Sequence, residues 1–327
     1  MNYELFRNFA GNMKKLIPMV VALVLLVACG QSYEETKRIT REQRREACRK
    51  DSAALKIAVM PTLDCLPLFV AQQYELFDTV NGGVRLKFYN AQMDCDTAIQ
   101  RGRVEGAMTD LARAMRIDKQ GLKVRYVAAT NAYWQLVTNR NARIKQLKQL
   151  DDKMVAMTRF SATDLLTDRA RDSVKLLAER VYKVQINDLN VRMQMLQNNE
   201  IDALWLPEPL ATQARVMKHP VVLDSRDVKL QLGVLAFREK EMRRQARAKQ
   251  LQLFTKAYNQ ACDSINKYGV AHYRDILLDR YKLKASLVDS IPQNIRFPHA
   301  HGPRQQDVTF VEQWLEKMKD EKLKTKD

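Results

Sequence analysis

Carboxylate, amide, hydroxyl and indole side chains follow the ends of several predicted strands, where they could bind a small polar molecule. Three of them, Asp64, Asp110 and Glu208, are carboxylates and suit an amine or a pyrimidine ring. Ser161 and Thr163 begin a predicted helix, whose free N–H groups and dipole favour a sulfonate or a carboxylate. A zwitterion has both a cationic and an acidic group and would therefore suit both the carboxylates and the helix start. The predicted ligand-binding residues are Asp64, Asn90, Asp94, Thr109, Asp110, Asn131, Trp134, Ser161, Thr163 and Glu208.

Each of these side chains also has a purely structural interpretation. The hydroxyl pair and the first two carboxylates are residue types that cap helices. Glu208 could instead stabilise the first turn of a helix through its dipole. Trp134 could be a core aromatic residue. Both interpretations stay open from the sequence alone.

The same residues offer little for catalysis. The sequence contains no P-loop, no GxGxxG motif and no Ser-His-Asp order, and its predicted pocket loops contain no histidine. His299 and His301 have a metal-like spacing, but prolines flank the pair and no cysteine is nearby. We therefore expect a binding protein without an enzymatic activity, a cofactor or a metal ion.

Two cysteines lie at the predicted strand ends. Cys65 follows the strand Leu55–Met60, and Cys95 follows the strand Val84–Tyr89. If these strands are neighbours, the two thiols share one rim and could form a disulfide, and free thiols are the alternative. The absence of a C-x-x-C motif argues against a redox enzyme.

A sequence repeat indicates which elements position these side chains. Residues 98–107 (Ala-Ile-Gln-Arg-Gly-Arg-Val-Glu-Gly-Ala) and residues 195–204 (Met-Leu-Gln-Asn-Asn-Glu-Ile-Asp-Ala-Leu) both read as the end of a helix, a polar turn and a strand. Each then continues through a loop into another helix, which is the material of an α/β sheet. The repeat predicts two similar lobes, and ligands of open α/β sheets bind beyond the carboxyl ends of the strands.

The chain begins with features of an export signal. Lys14 and Lys15 precede a short uncharged run that ends in Leu26-Val-Ala-Cys29, as in lipoprotein signals. The run is too short for a comfortable membrane span of about 20 residues. We expect a signal peptide over 1–28, with either Met1 or Met13 as the start, a lipid on Cys29 and a charged tether over 29–52.

Composition and charge narrow the possible partners. The 327 residues carry a formal net charge of +17 and are 46% hydrophobic, enough for two ordinary cores. A basic chain suggests nucleic acid, but export argues against that partner, and the charges are expected to solvate helical faces. We predict a first lobe over 53–135 plus 224–327 and a second over 136–223, with crossings near Trp134–Asn139 and Asp224–Phe237 as the hinge.

Four blocks of sequence, in this order, carry a family resemblance. Residues 55–77, 98–111, 161–163 and 201–209 resemble ABC-transporter substrate-binding proteins of the nitrate, sulfonate, taurine and thiamine-precursor class, over roughly residues 55–240. The resemblance implies an α/β periplasmic-binding-protein-like fold of the second type, with two hinged lobes of mixed sheets flanked by helices. It also implies a monomer that captures a small solute and delivers it to an ABC permease at the periplasmic or extracellular side of a membrane.

The chain departs from that family pattern after the first strand. The family commonly has small residues there, whereas this sequence has Asp64 and Cys65. The ligand class therefore does not carry over, and sulfonates, carboxylates and pyrimidine-like molecules all stay candidates. Two other roles of the same fold also stay open, a partner-binding or sensing lipoprotein and an enzyme of pyrimidine or thiamine-precursor metabolism.

Overall fold

The computed structural model describes residues 33–80 and 82–324. The predicted signal peptide and lipidated Cys29 lie outside the described residues. Helix α1 (Tyr33–Ala53) covers much of the predicted tether and belongs to a unit separate from the body, which begins at Ala54. Within the described residues, each helix is too short or too polar to cross a membrane.

The body contains two five-stranded sheets, and the first has the order β2-β1-β3-β10-β4. β1 pairs in parallel with β2 and β3, whereas β10 runs antiparallel to both β3 and β4. The strands and the helices between them are β1 (Leu55–Val59), α2 (Leu66–Gln73), β2 (Val84–Phe88), α3 (Gln92–Gln100), β3 (Gly106–Asp110), α4 (Leu111–Lys119), β4 (Val124–Ala129) and β10 (Gly233–Arg238).

The second sheet repeats this plan in the order β7-β6-β8-β5-β9. β6 pairs in parallel with β7 and β8, and β5 runs antiparallel to β8 and β9. Its elements are β5 (Trp134–Thr138), β6 (Lys153–Met157), α5 (Ala162–Ser173), β7 (Val181–Gln185), α6 (Leu189–Gln197), β8 (Ala203–Pro207), α7 (Leu210–Val216) and β9 (Val221–Asp224). The predicted two-lobed α/β architecture is confirmed.

The repeat seen in the sequence extends over three consecutive elements. β7, α6 and β8 begin and end 97 residues after β2, α3 and β3 respectively. The N-cap residues of α3 and α6, Ala91 and Asp188, keep the same spacing and form an isolated antiparallel bridge with each other. The two lobes are therefore built from matching units, whose corresponding helix starts meet.

One strand was missed in the sequence. The helix predicted from Ser161 to about Tyr182 ends at Ser173, and β7 occupies Val181–Gln185. Lys175 has a positive φ of 57°, which a helix cannot continue through. β7 is an edge strand whose residues are mostly exposed or half-buried, so it lacks the apolar run that marked the central strands.

The predicted hinge segments are also mostly strands. Trp134–Asn139 contains β5, and Asp224–Phe237 contains most of β10, whereas the chain passes between the sheets at residues 130–133 and 225–232. The backbones of Trp134 and Ser225 tie these connections together, since the Ser225 N–H donates to the Trp134 oxygen at 2.9 Å. The lobe limits stay a prediction, although the limit at residue 135 falls inside β5.

The C-terminal part of the chain is helical and completes the hydrophobic cores. Its helices are α8 (Glu239–Met242), α9 (Gln245–Tyr268), α10 (Arg274–Asp279), α11 (Ala285–Val288) and α12 (Gln305–Lys324). Phe254 and Tyr258 of α9 pack with Phe237 of β10 over the first sheet. On α12, Trp314 donates its indole N–H to Asp168 of α5 at 2.9 Å, so this helix contacts the second lobe as well.

A glycine in β3 provides a test of how tightly the first sheet is packed. A Cβ added at Gly106 would lie 2.5 Å from the ring of Phe237 on β10, which is closer than real contacts allow. We expect Gly106→Ala to lower the free energy of unfolding by about 1–3 kcal/mol in urea denaturation. Gly302→Ala is the control, because its Cβ meets nothing within 4 Å. Equal stability of the two variants would contradict the packing described.

Candidate functional site

A small cavity of about 40 Å³ lies between the two sheets, beyond the carboxyl ends of their parallel strands. Both lobes contribute polar side chains to its wall. The cavity is lined by Met60, Thr62, Asp64, Gln92, Met108, Thr109, Asp110, Ala132, Trp134, Thr158, Ser161, Thr163, Asn187, Leu189, Arg192 and Pro207. Six of the ten predicted ligand-binding residues are therefore brought together here: Asp64, Thr109, Asp110, Trp134, Ser161 and Thr163.

Arg192 of α6 is the most unusual side chain of this wall. It is 1% exposed, and burial lowers the pKa of its guanidinium to about 9, so the group stays charged at neutral pH. It donates to the oxygens of Ile186 and Trp205 and to Thr158 Oγ1 at 2.6–2.9 Å. It forms no ion pair with a carboxylate of the described residues. Three hydrogen bonds thus orient a buried positive charge, and Coulombic attraction to the Asp188 carboxylate at the start of the same helix partly opposes the fall in its pKa.

The predicted hydroxyl pair lies on the same side of the cavity, at the start of α5. Ser161 is the N-cap, and its Oγ accepts from the Thr163 N–H at 3.1 Å and donates to the Thr158 oxygen at 2.6 Å. Thr163 Oγ1 accepts from the Thr158 N–H at 3.0 Å. Both hydroxyls therefore hold the loop before α5 in place, as the capping interpretation expects, while they also line the cavity.

Asp110, which belongs to the first lobe, lies in the opposite wall of the cavity. Its carboxylate caps α4 by accepting from the Arg113 N–H at 3.0 Å, and the Ala162 N–H of α5 also donates to it. The carboxylate thus lies at the N-terminus of a helix in the other lobe. Burial raises the pKa of Asp110 to about 7, although these hydrogen bonds oppose the shift.

A buried ion pair supports this wall from behind. Arg113 of α4 pairs with Asp96 of α3, and the exposed fractions of the residues are 6% and 2%. Arg113 Nη1 also donates across the cleft to the oxygen of Arg159 at 2.9 Å. Because the Asp96 charge is compensated, the pair rigidifies the wall without adding net charge to the cavity.

Asp64 supplies a second carboxylate from the first lobe. It is half-buried, in a short 3-10 helix (Leu63–Cys65) after β1, and Thr130 Oγ1 donates to it at a long 3.4 Å. Desolvation raises the pKa of Asp64, and the Thr62 and Thr130 hydroxyls partly oppose this effect. Nearby, Gln92 Nε2 donates to Thr109 Oγ1 at 2.8 Å. Like Arg192, Asp64 forms no ion pair with an oppositely charged group of the described residues.

Four predicted residues lie outside this wall. Asn90 and Asp94 are exposed, and Asn131 donates its amide to the Arg296 oxygen at 2.8 Å. Glu208 is 2% exposed, and its carboxylate is occupied by the hydroxyls of Thr212 and Tyr133 and by Arg215. In the structure Glu208 therefore caps α7 and contacts the connection between the lobes.

The two cysteines at the strand ends are free thiols in the structure. Both are fully buried, and burial raises the pKa of Cys65 and of Cys95. They belong to the packed interior of the first lobe rather than to the cavity wall. Over the described residues, no group of three or more His, Cys, Asp or Glu side chains could hold a metal ion.

Direct contacts join the lobes around the cavity. The Leu63 N–H donates to the Glu208 oxygen at 2.9 Å, and Gln185 Nε2 contacts Met93 Sδ at 3.3 Å. The Arg116 guanidinium lies 4.3 Å from the ring centroid of Phe160. These contacts and the Ala91–Asp188 bridge hold the two lobes together, so the cleft is closed in this structure.

Sequence reasoning missed Arg192, although a signal was present. The buried residues of α6 are Leu189, Arg192, Met193 and Leu196, which share one face of the helix at spacings of three and four. An arginine on the apolar face of a helix is costly unless it has a purpose, and that position was the available clue. The buried ion pair of Asp96 and Arg113 could not be predicted in the same way, because no local sequence pattern links two residues that are distant in sequence.

The buried Asp110 carboxylate predicts a specific dependence of stability on pH. Its folded pKa is above its usual value, so its contribution to stability is complete at low pH and is lost as pH rises toward 7. Asp110→Asn keeps a capping acceptor but cannot ionise. We expect this variant to be more stable than the parent at pH 8, by up to a few kcal/mol, and to lose that advantage at pH 4. Urea denaturation at both pH values measures this, and a constant difference between the proteins would contradict it.

Comparison with solved structures places this geometry among known folds. The alkanesulfonate-binding protein SsuA from Xanthomonas axonopodis pv. citri, bound to MOPS, has a TM-score of 0.71 and 14% identity, over 83% of this chain and 94% of that one. A ligand-binding component of an ABC-type import system from Staphylococcus aureus, with zinc bound, has a TM-score of 0.66 and 17% identity, over 80% and 92%. The periplasmic nitrate-binding protein NrtA from Synechocystis PCC 6803 has a TM-score of 0.63 and 13% identity, over 78% and 74%.

These similarities confirm the two-lobed periplasmic-binding-protein-like fold. No curated protein matches the chain significantly. The sequence model of the NMT1/THI5-like family matches residues 62–269, which cover the cavity and most of both sheets. With well over half of its residues matched, this chain belongs to the NMT1/THI5-like family.

Proposed function

We propose that this protein is a lipid-anchored solute-binding protein, which captures a small solute with an acidic group between its lobes and delivers it to an ABC permease. The acidic group lies against Arg192 and the start of α5. The protein binds the solute without converting it, and the lipid on Cys29 holds it at the outer side of a membrane.

The observation that carries this proposal is the buried guanidinium of Arg192, which lines a cavity between two lobes, forms no salt bridge within the described residues and is attracted by the Asp188 carboxylate only through space. A buried cation without a salt bridge destabilises a fold, and an anionic ligand removes that penalty when it binds. The start of α5 adds the positive end of a helix dipole to the same wall, while its first N–H groups already donate to Asp110 and to Ser161. The described lining residues include no histidine, cysteine or lysine, which favours binding over turnover.

The similar proteins support the delivery step. Those reported above are named as alkanesulfonate-binding, nitrate-binding and ABC import components. Transfer of such a role to this chain accounts for the export signal read in the sequence, because a solute-binding component of an importer works outside the cytoplasm. The identity of the ligand must instead be inferred from the chemistry of the side chains that line the cavity.

Thermal unfolding against a panel of solutes tests the binding role. The panel contains alkanesulfonates, carboxylates, nitrate, amino acids and pyrimidines, added to residues 31–327. We expect one class to raise the melting temperature by a few degrees, since a ligand at 100 times its Kd adds about 2.7 kcal/mol. Arg192→Met should weaken that ligand at least tenfold, because its acidic group loses the buried charge.

The matched control is Arg180→Gln, which removes a positive charge of the same lobe at the amino end of β7, away from the cavity. It should bind as the parent does. Circular dichroism of Arg192→Met separates loss of binding from loss of fold. A parent protein that responds to no solute, or an Arg192→Met variant that is folded and binds normally, would overturn the proposal.

Closure of the lobes offers an independent test. Because both lobes line one small cavity, a bound solute contacts both of them and its binding favours the closed form over an open one. We expect small-angle scattering to show a smaller radius of gyration with saturating ligand than without it. An identical radius in both states would contradict the hinged mechanism.

A further inference from the structure

The first sheet has a strongly basic surface at the end opposite the cavity, where β3 and β4 begin and β10 ends. Three segments form it: residues 101–105 before β3, residues 118–125 from the end of α4 into β4, and residues 238–247 from the end of β10 into α9. These segments contain ten Lys or Arg residues and only four Asp or Glu residues. We call this surface the basic end of the first lobe.

Backbone hydrogen bonds bring the three segments together. The Arg238 N–H donates to the Glu105 oxygen at 2.8 Å, and the Glu239 N–H donates to the Lys123 oxygen at 2.9 Å. The turn at Gly102 also lies against the Arg238 side chain, since a Cβ placed on Gly102 would be 2.5 Å from Nη1 of that arginine. The basic residues therefore belong to neighbouring segments of one surface.

The carboxylates of the basic end are already paired, which leaves an excess of positive charge. Each of the four forms an ion pair within these segments: Glu105–Arg247, Asp118–Lys123, Glu239–Arg243 and Glu241–Arg244. Lys119 pairs with Glu316 of α12 at 3.7 Å. Over the part of the chain that the structure describes, five basic side chains are left without an ion pair, and all but the half-buried Arg238 are exposed: Arg101, Arg103, Arg125, Arg238 and Lys240.

The neighbouring strands β1 and β2 are balanced in charge at this end of the sheet. Lys56 and Arg85 are register partners near the starts of the two strands. Glu75 and Asp78 lie in the connection that leads into β2. The excess of positive charge is therefore concentrated on the side of β3, β10 and β4.

The chain enters the body at the same end of the sheet. The body begins at Ala54, directly before β1. Two residues later, the Lys56 oxygen accepts a hydrogen bond from the Glu105 N–H at 2.9 Å. An anchor on Cys29 therefore connects to the body beside the basic end, on the side away from the cavity.

The composition of the basic end favours lipid headgroups over a protein partner. The centre of a protein interface is usually formed by aromatic and apolar side chains. Among the described residues, none of the exposed large hydrophobic side chains belongs to these three segments. Attraction to a membrane with anionic lipids, in contrast, requires only basic side chains close to its surface.

From this arrangement we propose that the basic end of the first lobe rests on the anionic phospholipid headgroups of the membrane that carries the anchor. The choice of a membrane rests on the lipid anchor of the proposed function, whereas the excess of charge does not depend on it. Contact at this end leaves the cavity, which lies beyond the carboxyl ends of the parallel strands, directed away from the bilayer.

Sedimentation with lipid vesicles tests this surface without the anchor. Residues 31–327, which include every described residue, are mixed with vesicles of phosphatidylcholine alone or of phosphatidylcholine with about one third phosphatidylglycerol. We expect the protein to bind the anionic vesicles about tenfold more tightly or better at low salt. This preference should disappear at about 0.5 M salt, because ions screen exposed charges.

A variant that combines Arg101→Gln, Arg103→Gln and Lys240→Gln removes three exposed and unpaired charges of the basic end. It should bind the anionic vesicles about tenfold more weakly or worse, because each basic residue near the membrane adds to the attraction. The matched control combines Arg143→Gln, Lys145→Gln and Lys148→Gln, three exposed residues of the second lobe between β5 and β6. It has the same net charge and should bind as the parent does, and thermal unfolding verifies that both variants are folded.

Two results would overturn the inference. A parent protein that binds neutral and anionic vesicles equally would exclude the membrane and leave an acidic protein partner as the candidate. An equal loss of binding in both variants would show that binding follows net charge and not this surface. Neither result bears on the proposed function, because the solute panel tests solute binding and mass spectrometry of the full chain tests the lipid on Cys29.

Discussion

The site depends on one buried cation that forms no salt bridge within the described residues and is attracted only through space by the Asp188 carboxylate. Arg192 is enclosed by α6, by the oxygens of Ile186 and Trp205 and by the hydroxyl of Thr158, all from its own lobe. Three hydrogen bonds fix its direction, yet hydrogen bonds to neutral acceptors do not remove the cost of burying a charge. The second lobe therefore contains a positive charge that a bound anion can neutralise. The polar side chains of the first lobe face that charge across the cavity.

Closure is supported by contacts that do not belong to the cavity wall. Glu208 caps α7 and pairs with Arg215, and Tyr133 from the connection between the sheets donates to it at 3.0 Å. The Arg226 guanidinium, from the other connection, lies 4.0 Å from the ring centroid of Tyr133. A carboxylate that first appeared to be a ligand contact thus joins both connections to the second lobe. The contacts that join the lobes are therefore separate from the side chains that line the cavity.

The sequence was sufficient for the architecture and for part of the site. Apolar central strands and the repeated helix–turn–strand unit predicted both sheets, and strand-end positions predicted that Asp64, Asp110 and the Ser161–Thr163 turn lie around one cavity. Edge strand β7 was not predicted because a half-exposed strand has no continuous apolar run. Glu208 and Asn131 line a smaller cavity next to Asp64 instead, which could not be predicted because the type of a polar residue does not reveal where its side chain lies. Their contact with a ligand stays a prediction. Arg192 was not predicted because an apolar helix face is normally interpreted as a packing surface. The sequence pattern does not show that a charged side chain on such a face is buried, since burial depends on the tertiary structure.

The matching units of the two lobes have a consequence in terms of symmetry. The bridge between Ala91 and Asp188 joins equivalent positions, so it resembles an isologous contact across an approximate two-fold axis through the cleft. A backbone of that kind presents the same surroundings to either end of a bound molecule. The side chains at equivalent positions differ: Cys95 of α3 is buried in the interior of the first lobe, whereas the corresponding Arg192 of α6 lines the cavity. The polarity of the cleft therefore resides in a few side chains and not in the backbone fold, which is built from the same units on both sides.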